Sequence, residues 1–315
     1  MNIYHSLDEI GYSKNTVISI GMFDGIHRAH QKIIAMVVEG AAEIKGRSML
    51  ITFSPHPRQI VGNKGEPIEI LTTVDEKIQL FEKYGIEELF IIPFTYEFSQ
   101  LSLEDFYSKY VIRGIGVTKV IEGNDHQLGK DRQGNIAQIR TLGEKNDFLV
   151  ESVPIVMNDG EKISSSEIRR KLHLGEVSAA NDMLGREYSF EGIVVRGYGR
   201  GKKLGYPTAN IKIDDPQKLI PKIGVYAVYF FVGGTWYEGM MSIGHNPTFH
   251  ENHERTTEVN IFNFDRDIYD QHVIVRCIER TRDEKKFSDV GELITEMGND
   301  KVVTQKILEH YKLKS

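Results

Sequence analysis

The chain has 315 residues, of which 40% are hydrophobic and 27% charged, with a formal net charge of −6. That length exceeds one ordinary core and sets an expectation of two domains. The acidic balance argues against a bulk nucleic-acid binder, which carries a basic excess, but leaves room for a small anion held by local donors.

A single cysteine, Cys277, excludes an internal disulfide and fits a reducing compartment. The first ten residues lack the basic-then-apolar pattern of a signal peptide. No run of about 18 apolar residues is present to cross a bilayer. A cytoplasmic protein without a membrane or nucleic-acid partner is expected; oligomeric state is not legible.

In chain order, Thr16 to Met22 reads as a strand, and His30 to Lys45 as a helix with Ile33, Ile34, Val37, Val38 and Ala41 at helical spacing. Ser48 to Phe53 is a second strand. Val74 to Tyr84 is a helix, capped by Thr72 or Thr73 and ended by Gly85. Leu89 to Phe94 is a strand, Leu103 to Ile112 a helix capped by Ser102, and Val117 to Glu122 a fourth strand. Strands alternating with helices imply a parallel sheet covered on both faces, with ligands at the carboxyl ends of the strands.

Near Leu184 the character changes. Tyr226 to Val232 and Trp236 to Ile243 flank Gly233-Gly234, a hairpin signal. Val259 to Phe264 and His272 to Ile278 read as a second pair of strands, and short strands without intervening helices predict a small antiparallel barrel. Val290 to Tyr311 is a polar helix expected to pack on it. The boundary falls within Leu174 to Arg186, a short helical passage.

Gly21 to His30 reads G-M-F-D-G-I-H-R-A-H, after the first strand and into the first helix. Gly21 and Gly25 allow a tight turn and close approach of a ligand, and a helix N-terminus favours anions. His27 and His30, three apart, share a helix face and could stabilise charge on an attacked phosphorus. Spacing alone also allows a structural turn with two surface histidines, or half of a metal site.

In the second half, Gly192 to Asn210 reads G-I-V-V-R-G-Y-G-R-G-K-K-L-G-Y-P-T-A-N. Its glycines, including Gly199, Gly201 and Gly205, and its cations, including Lys203, suit a polyphosphate, although it is not a Walker loop. A glycine-rich hairpin with solvated charges is the blander reading. Thr208 and Asn210 lie on one side of an extended chain, and such hard oxygens suit Mg²⁺ carried by a nucleotide.

These segments resemble the bacterial bifunctional riboflavin kinase/FAD synthetase (FMN adenylyltransferase) family. Gly21 to His30 resembles the family's G-x-F-D-G-x-H-x-G-H signature. Thr52 to Pro57 (T-F-S-P-H-P), Gly123 to Gly134 and Ile163 to Arg169 (I-S-S-S-E-I-R) follow in family order. Leu204 to Asn210 matches L-G-[FY]-P-T-A-N, with Gly224 to Val228, Gly239 to Phe249, the stretch from Glu258, and R-D-E-K-K-F at Arg282 to Phe287. Two positions depart from the pattern: Ala29 stands where the family has glycine, and Asp125 to Gly129 reads D-H-Q-L-G where D-F-R-F-G is common.

The resemblance implies a nucleotidyltransferase-like doubly wound parallel sheet over 1–184 and a riboflavin kinase-like antiparallel barrel with a terminal helix over 185–315. It implies ATP-dependent conversion of riboflavin to FMN and of FMN to FAD, with Mg²⁺. By resemblance, Glu258 is the general base, His27 and His30 serve adenylyl transfer, and Thr208 and Asn210 hold the metal. Gly21, Phe23, Asp24, Gly25, Asp125, Ser165, Ser166 and Arg169 face one nucleotide, and Gly199, Gly201, Lys203, Gly205, Pro207 and Arg282 the other. The two departures set an expectation of weakened adenylyl transfer. The alternative they leave is a monofunctional riboflavin kinase with a regulatory or nucleotide-binding first domain.

Overall fold

The computed structural model describes all residues except 63–67, 125–134, 198, 200, 202–203, 246–254 and 312–315. Two compact units emerge, Met1–Ser165 and Ser166–Ser315.

In the first unit, strands β1 (Asn2–Tyr4), β2 (Thr16–Ile20), β3 (Arg47–Ser54), β4 (Glu88–Pro93), β5 (Lys119–Gly123) and β6 (Leu149–Val153) form a six-stranded sheet in the order β1-β4-β3-β2-β5-β6. All its neighbours are parallel. Alternate residues of the buried strands point to opposite faces, and both faces are filled. Val17, Leu50, Leu89 and Ile91 pack under helices α1 (Arg28–Glu43) and α3 (Val74–Lys83), joined by Ile34, Val37 and Phe81. Ile18, Met49, Phe90 and Val120 pack on the other side against Phe106, Tyr107, Val111 and Ile115. Short helices α2 (Pro57–Val61) and α4 (Tyr96–Ser99), helix α6 (Ile136–Asn146) and a two-strand ribbon of β7 (Met157–Asn158) and β8 (Glu161–Lys162) complete the unit.

The helix expected over Leu103 to Ile112 begins as α5 (Leu103–Phe106), with Ser102 Oγ accepting from Asp105 N, and continues as a π-helix over Tyr107–Ile115. The strands β1 and β6 and the helix α6 carry weaker patterns and do not stand out in the sequence.

The second unit starts with helices α7 (Ser165–Leu174, whose first residue closes the first unit) and α8 (Val177–Leu184). A closed antiparallel barrel follows, built from β9 (Tyr188–Val195), β10 (Ala209–Ile213), β11 (Gly224–Val232), β12 (Thr235–His245), β13 (Arg255–Ile261) and β14 (His272–Arg282) in the order β10-β13-β12-β11-β14-β9. Gly233 and Gly234, at φ of 56° and 81°, make the two-residue turn joining β11 to β12. β13 and β14 are not partners: β13 pairs with β10 and β12, β14 with β11 and β9.

Helix α9 (Val290–His310) lies against the barrel, its Leu308 buried with Ala227, Met240, Phe262 and Ile278. Helix α8 is tied to the barrel by Asn181. Its Nδ2 donates to the Cys277 carbonyl (2.9 Å) and its Oδ1 accepts from Tyr188 N (2.7 Å).

Candidate functional site

In the parallel sheet, the chain leaves β2 toward β3 on one side while β5 lies on the other, so the crevice between β2 and β5 is the switch point where ligands bind. The two strands separate as they approach it. Their ladder pairs Val17 with Lys119 and Ile18 with Val120 and goes no further. Beyond it, the Ile20 N–H donates instead to Glu122 Oε1 (3.0 Å). Glu122 is buried, and burial pushes its pKa well above the ordinary carboxylate range.

The loop leaving β2 is strained. Phe23 (φ 48°), Gly25 (81°) and Ile26 (39°) all occupy the left-handed region, which for the two non-glycine residues costs about 1–3 kcal/mol each. The buried Asp24 holds it there: its Oδ1 accepts from Leu71 N (2.9 Å), Thr72 N (3.0 Å) and Thr72 Oγ1 (3.3 Å). Thr72 Oγ1 in turn accepts from Gly25 N (2.9 Å). Thr72 is therefore the brace of the loop, while Thr73 caps α3. Ser165 Oγ donates to the Asp24 carbonyl (2.8 Å), which brings the start of α7 to the same loop. Ser166 and Arg169 lie on the first turns of that helix.

His27 caps α1, its Nδ1 accepting from His30 N at 3.4 Å, so in the neutral ring the proton sits on Nε2. The imidazoles of His27 and His30 stack with centroids 3.7 Å apart and planes 15° apart. Two rings this close disfavour a double positive charge. His30 is held well below the ordinary histidine range, chiefly by burial, then by His27 and by Lys77. Its Nδ1 is buried without a hydrogen-bond partner. Phe23 lies edge-on to His30 (5.3 Å) and to Phe81 (5.6 Å). Gly21 meets the Phe23 ring, which an added Cβ would contact at 3.4 Å. Asp125 lies outside the described residues.

In the barrel, Asn210 on β10 stands directly opposite Glu258 on β13, and Thr208 Oγ1 donates to Glu258 Oε2 (2.9 Å). Thr208, Asn210 and Glu258 are thus gathered on one patch. The Pro207 carbonyl accepts from Asn260 Nδ2 (2.7 Å), fixing the segment before β10. Two described glycines of the loop lie close to this patch. A Cβ on Gly197 would lie 2.2 Å from Asn210 Nδ2, and one on Gly201 2.3 Å from the Tyr206 carbonyl and 3.2 Å from Thr208 Oγ1. Gly199 and Gly205 take positive φ, 65° and 81°, with open space beside them. Lys203 lies outside the described residues.

Arg282, expected at the nucleotide, joins the barrel to its terminal helix. Its Nε and Nη2 donate to Asp300 (2.7 and 2.6 Å) and its Nη1 to the Asp283 carbonyl (2.8 Å), which ties β14 to α9. Away from this patch, among the described residues, Glu191, Asp214 and His272 form a partly exposed cluster with ligand atoms within 4.8 Å of one another. His272 Nε2 lies 2.9 Å from Asp214 Oδ2, as in an ordinary surface ion pair.

Residues 10–167 match the FAD synthetase family and residues 184–308 the riboflavin kinase family. The chain belongs to the bifunctional riboflavin kinase/FMN adenylyltransferase family. A member from Listeria monocytogenes is 35% identical, with 92% of each chain covered. One from Bacillus subtilis is also 35% identical, covering 91% of this chain and 90% of that one. A crystal structure described as a macrolide-efflux protein from Streptococcus pneumoniae superposes with a TM-score of 0.89 at 30% identity, over 98% of this chain and 99% of that one. Among the described residues, no helix of this family member is long and apolar enough to cross a membrane. Thr72, Lys77 and Glu122 enter the site without a functional signal of their own in the sequence. Each is defined by a partner distant in the chain.

Proposed function

We infer that the chain makes FMN from riboflavin and FAD from FMN, each at the expense of ATP. The observation that carries this reading is the presence, in one family member, of two separate constellations: the braced histidine loop at the sheet crevice and the Thr208–Asn210–Glu258 patch beside Gly197 and Gly201. We assign adenylyl transfer to 1–184 and phosphoryl transfer to 185–315.

In the barrel, Glu258 takes the proton of the riboflavin 5′-hydroxyl as that oxygen bonds to the γ-phosphorus of ATP and ADP departs. The Thr208 hydroxyl donates to Glu258 Oε2 and so fixes where that carboxylate points. The Thr208 hydroxyl, the Asn210 amide and Glu258 form an oxygen-rich set that fits Mg²⁺. Thr208 and Asn210 would hold it, and the ion would neutralise charge on the ATP phosphates. Gly199, Gly201 and Gly205 bring backbone close to those phosphates, and Lys203 adds charge.

At the sheet, a phosphate oxygen of FMN bonds to the α-phosphorus of ATP and pyrophosphate leaves. The positive end of α1, with His27 and His30, stabilises the charge that builds there. Ser165, Ser166 and Arg169 bind the leaving phosphates, while Asp24 and Gly25 shape the loop. The alternative of a monofunctional kinase is not favoured, since the histidine loop keeps its brace, its stack and its strain.

Paired variants test the division of labour. Glu258→Gln should lower FMN formation from riboflavin by ~10²-fold or more and leave FAD formation from supplied FMN intact. His27→Ala should do the reverse. Loss of both reactions from either change would sink the assignment.

A further inference from the structure

Glycine is out of place in the interior of helix α9, yet Gly298 lies well inside this 21-residue helix. What stands beside it is Tyr206, the aromatic residue of L-G-Y-P-T-A-N. A Cβ on Gly298 would meet the Tyr206 hydroxyl oxygen at 3.5 Å. That is ordinary contact, so a methyl just fits and further atoms in that direction do not. The Tyr206 ring packs on the cluster where α9 meets the barrel, formed by Ala227, Met240, Phe262 and Leu308, and Met297 packs on the same cluster.

The backbone of the same residue ends the turn of the glycine loop. The Gly201 carbonyl accepts from Leu204 N (3.0 Å) and from Tyr206 N (2.9 Å), so Gly201 and Tyr206 are the two ends of one closed turn. A Cβ on Gly201 would lie 2.3 Å from the Tyr206 carbonyl and 3.2 Å from Thr208 Oγ1. Tyr206 therefore has its ring in the α9–barrel core and its backbone in the loop beside the Thr208–Asn210–Glu258 patch.

We propose that Tyr206 is a positioning residue of the phosphoryl-transfer site: its ring, seated against α9 at Gly298, fixes the Gly201–Tyr206 turn before the ATP phosphates arrive. A loop with this many glycines has much backbone freedom to lose on binding. A polyphosphate is held most tightly by backbone donors that are already in place. The bond from Asn260 Nδ2 to the Pro207 carbonyl holds the next residue independently of the ring. What the ring controls is thus the loop rather than Thr208, Asn210 and Glu258. Its loss weakens nucleotide binding and spares proton transfer.

The inference rests on the kinase reading of the barrel, and one arm of its test needs no turnover. The full-length protein is followed by amide hydrogen exchange without nucleotide, and by initial rates of FMN formation across an Mg²⁺-ATP series. Tyr206→Ala should speed exchange at positions 204 and 206 by about 5- to 30-fold, the equilibrium cost of ordering one residue's backbone, and leave β11 and β14 protected. The KM for Mg²⁺-ATP should rise by a similar factor with kcat little changed, and Tyr206→Phe, which keeps the ring, should restore both readouts. Gly298→Ala should match wild type, whereas Gly298→Leu should repeat Tyr206→Ala by pushing the ring from its seat. The double variant should be no worse than either single one, since the two residues act through one contact.

Unmoved exchange and KM in Tyr206→Ala overturn the proposal, as do additive effects in the double variant or a fall in kcat alone. If Tyr206→Ala does not fold, Gly298→Leu decides, and wild-type exchange and KM there overturn it. Wild type that forms no FMN while positions 204 and 206 stay protected would fail the kinase reading, and the proposal with it.

Discussion

Gly197→Ala separates the metal-nucleotide role of Asn210 from the integrity of the barrel. The new methyl carbon would sit 2.2 Å from Asn210 Nδ2, 2.6 Å from its Cγ and 2.8 Å from its Oδ1. Ordinary contact is about 3.5–4 Å, so the amide must retreat by more than about 1 Å. Overpacking of this kind costs ~1–3 kcal/mol. The displaced atoms end a short rotatable side chain, so the stability loss belongs at the low end of that range. Function has no such escape, because the rotated amide leaves the Glu258 patch it stands opposite. At about 1.4 kcal/mol per tenfold, the KM for Mg²⁺-ATP in FMN formation should rise about 5- to 150-fold. Initial rates across an Mg²⁺-ATP series, beside thermal melts and FAD formation from FMN as an internal control, measure this. An unchanged KM would refute the placement of Asn210 at the nucleotide metal. A parallel fall in the control reaction would show that the methyl acts globally.

Three further outcomes are expected. A fragment of residues 166–315 should fold and phosphorylate riboflavin, whereas 185–315 loses buried Val177, Ala180, Met183 and Leu184 and the Asn181 bonds to β9 and β14; about 4 kcal/mol or more of burial goes with them, and circular dichroism melts compare the two. Glu122→Gln keeps an acceptor for Ile20 N–H but cannot ionise. The raised folded pKa of Glu122 means wild type loses stability as pH climbs from the usual carboxylate range toward that value, so the variant's advantage in denaturant midpoint should grow from pH 4.5 to 8 and vanish below 4. Ala29→Gly, at the second residue of α1 between His27 and His30, should raise FMN adenylylation by up to ~10-fold at a helix cost of about 0.5–1 kcal/mol; an unchanged rate would clear Ala29 of any part in limiting the reaction.

What was legible in the sequence was local. Thr16–Ile20 and Arg47–Ser54 read as strands because both of their faces are buried, and Gly233-Gly234 announced its hairpin by turn chemistry. Strands β9 and β10 were obscured because they flank a loop rich in glycine and lysine, and A-N-I-K-I is short for a period-2 signal. Pairing was the deeper gap. β13 and β14 are successive strands in sequence, yet closure of the barrel sends each to other neighbours. The same limit applies to the site. His27, His30, Thr208, Asn210 and Glu258 carry recognisable motifs, but Asp24 meets Thr72 across 48 positions and Ile20 meets Glu122 across 102. Burial of Lys77 is likewise a product of tertiary packing: V-D-E-K-I-Q reads as the polar start of a surface helix.

The central claim is that one chain carries both reactions. Its most direct test is to incubate the full-length protein with riboflavin, ATP and Mg²⁺, and in parallel with FMN, ATP and Mg²⁺, and to separate the flavins by chromatography over time. Riboflavin should pass to FMN and then to FAD, and FMN alone should give FAD with pyrophosphate. FMN accumulating from riboflavin with no FAD from either mixture would contradict the account and leave a kinase with a catalytically silent first unit.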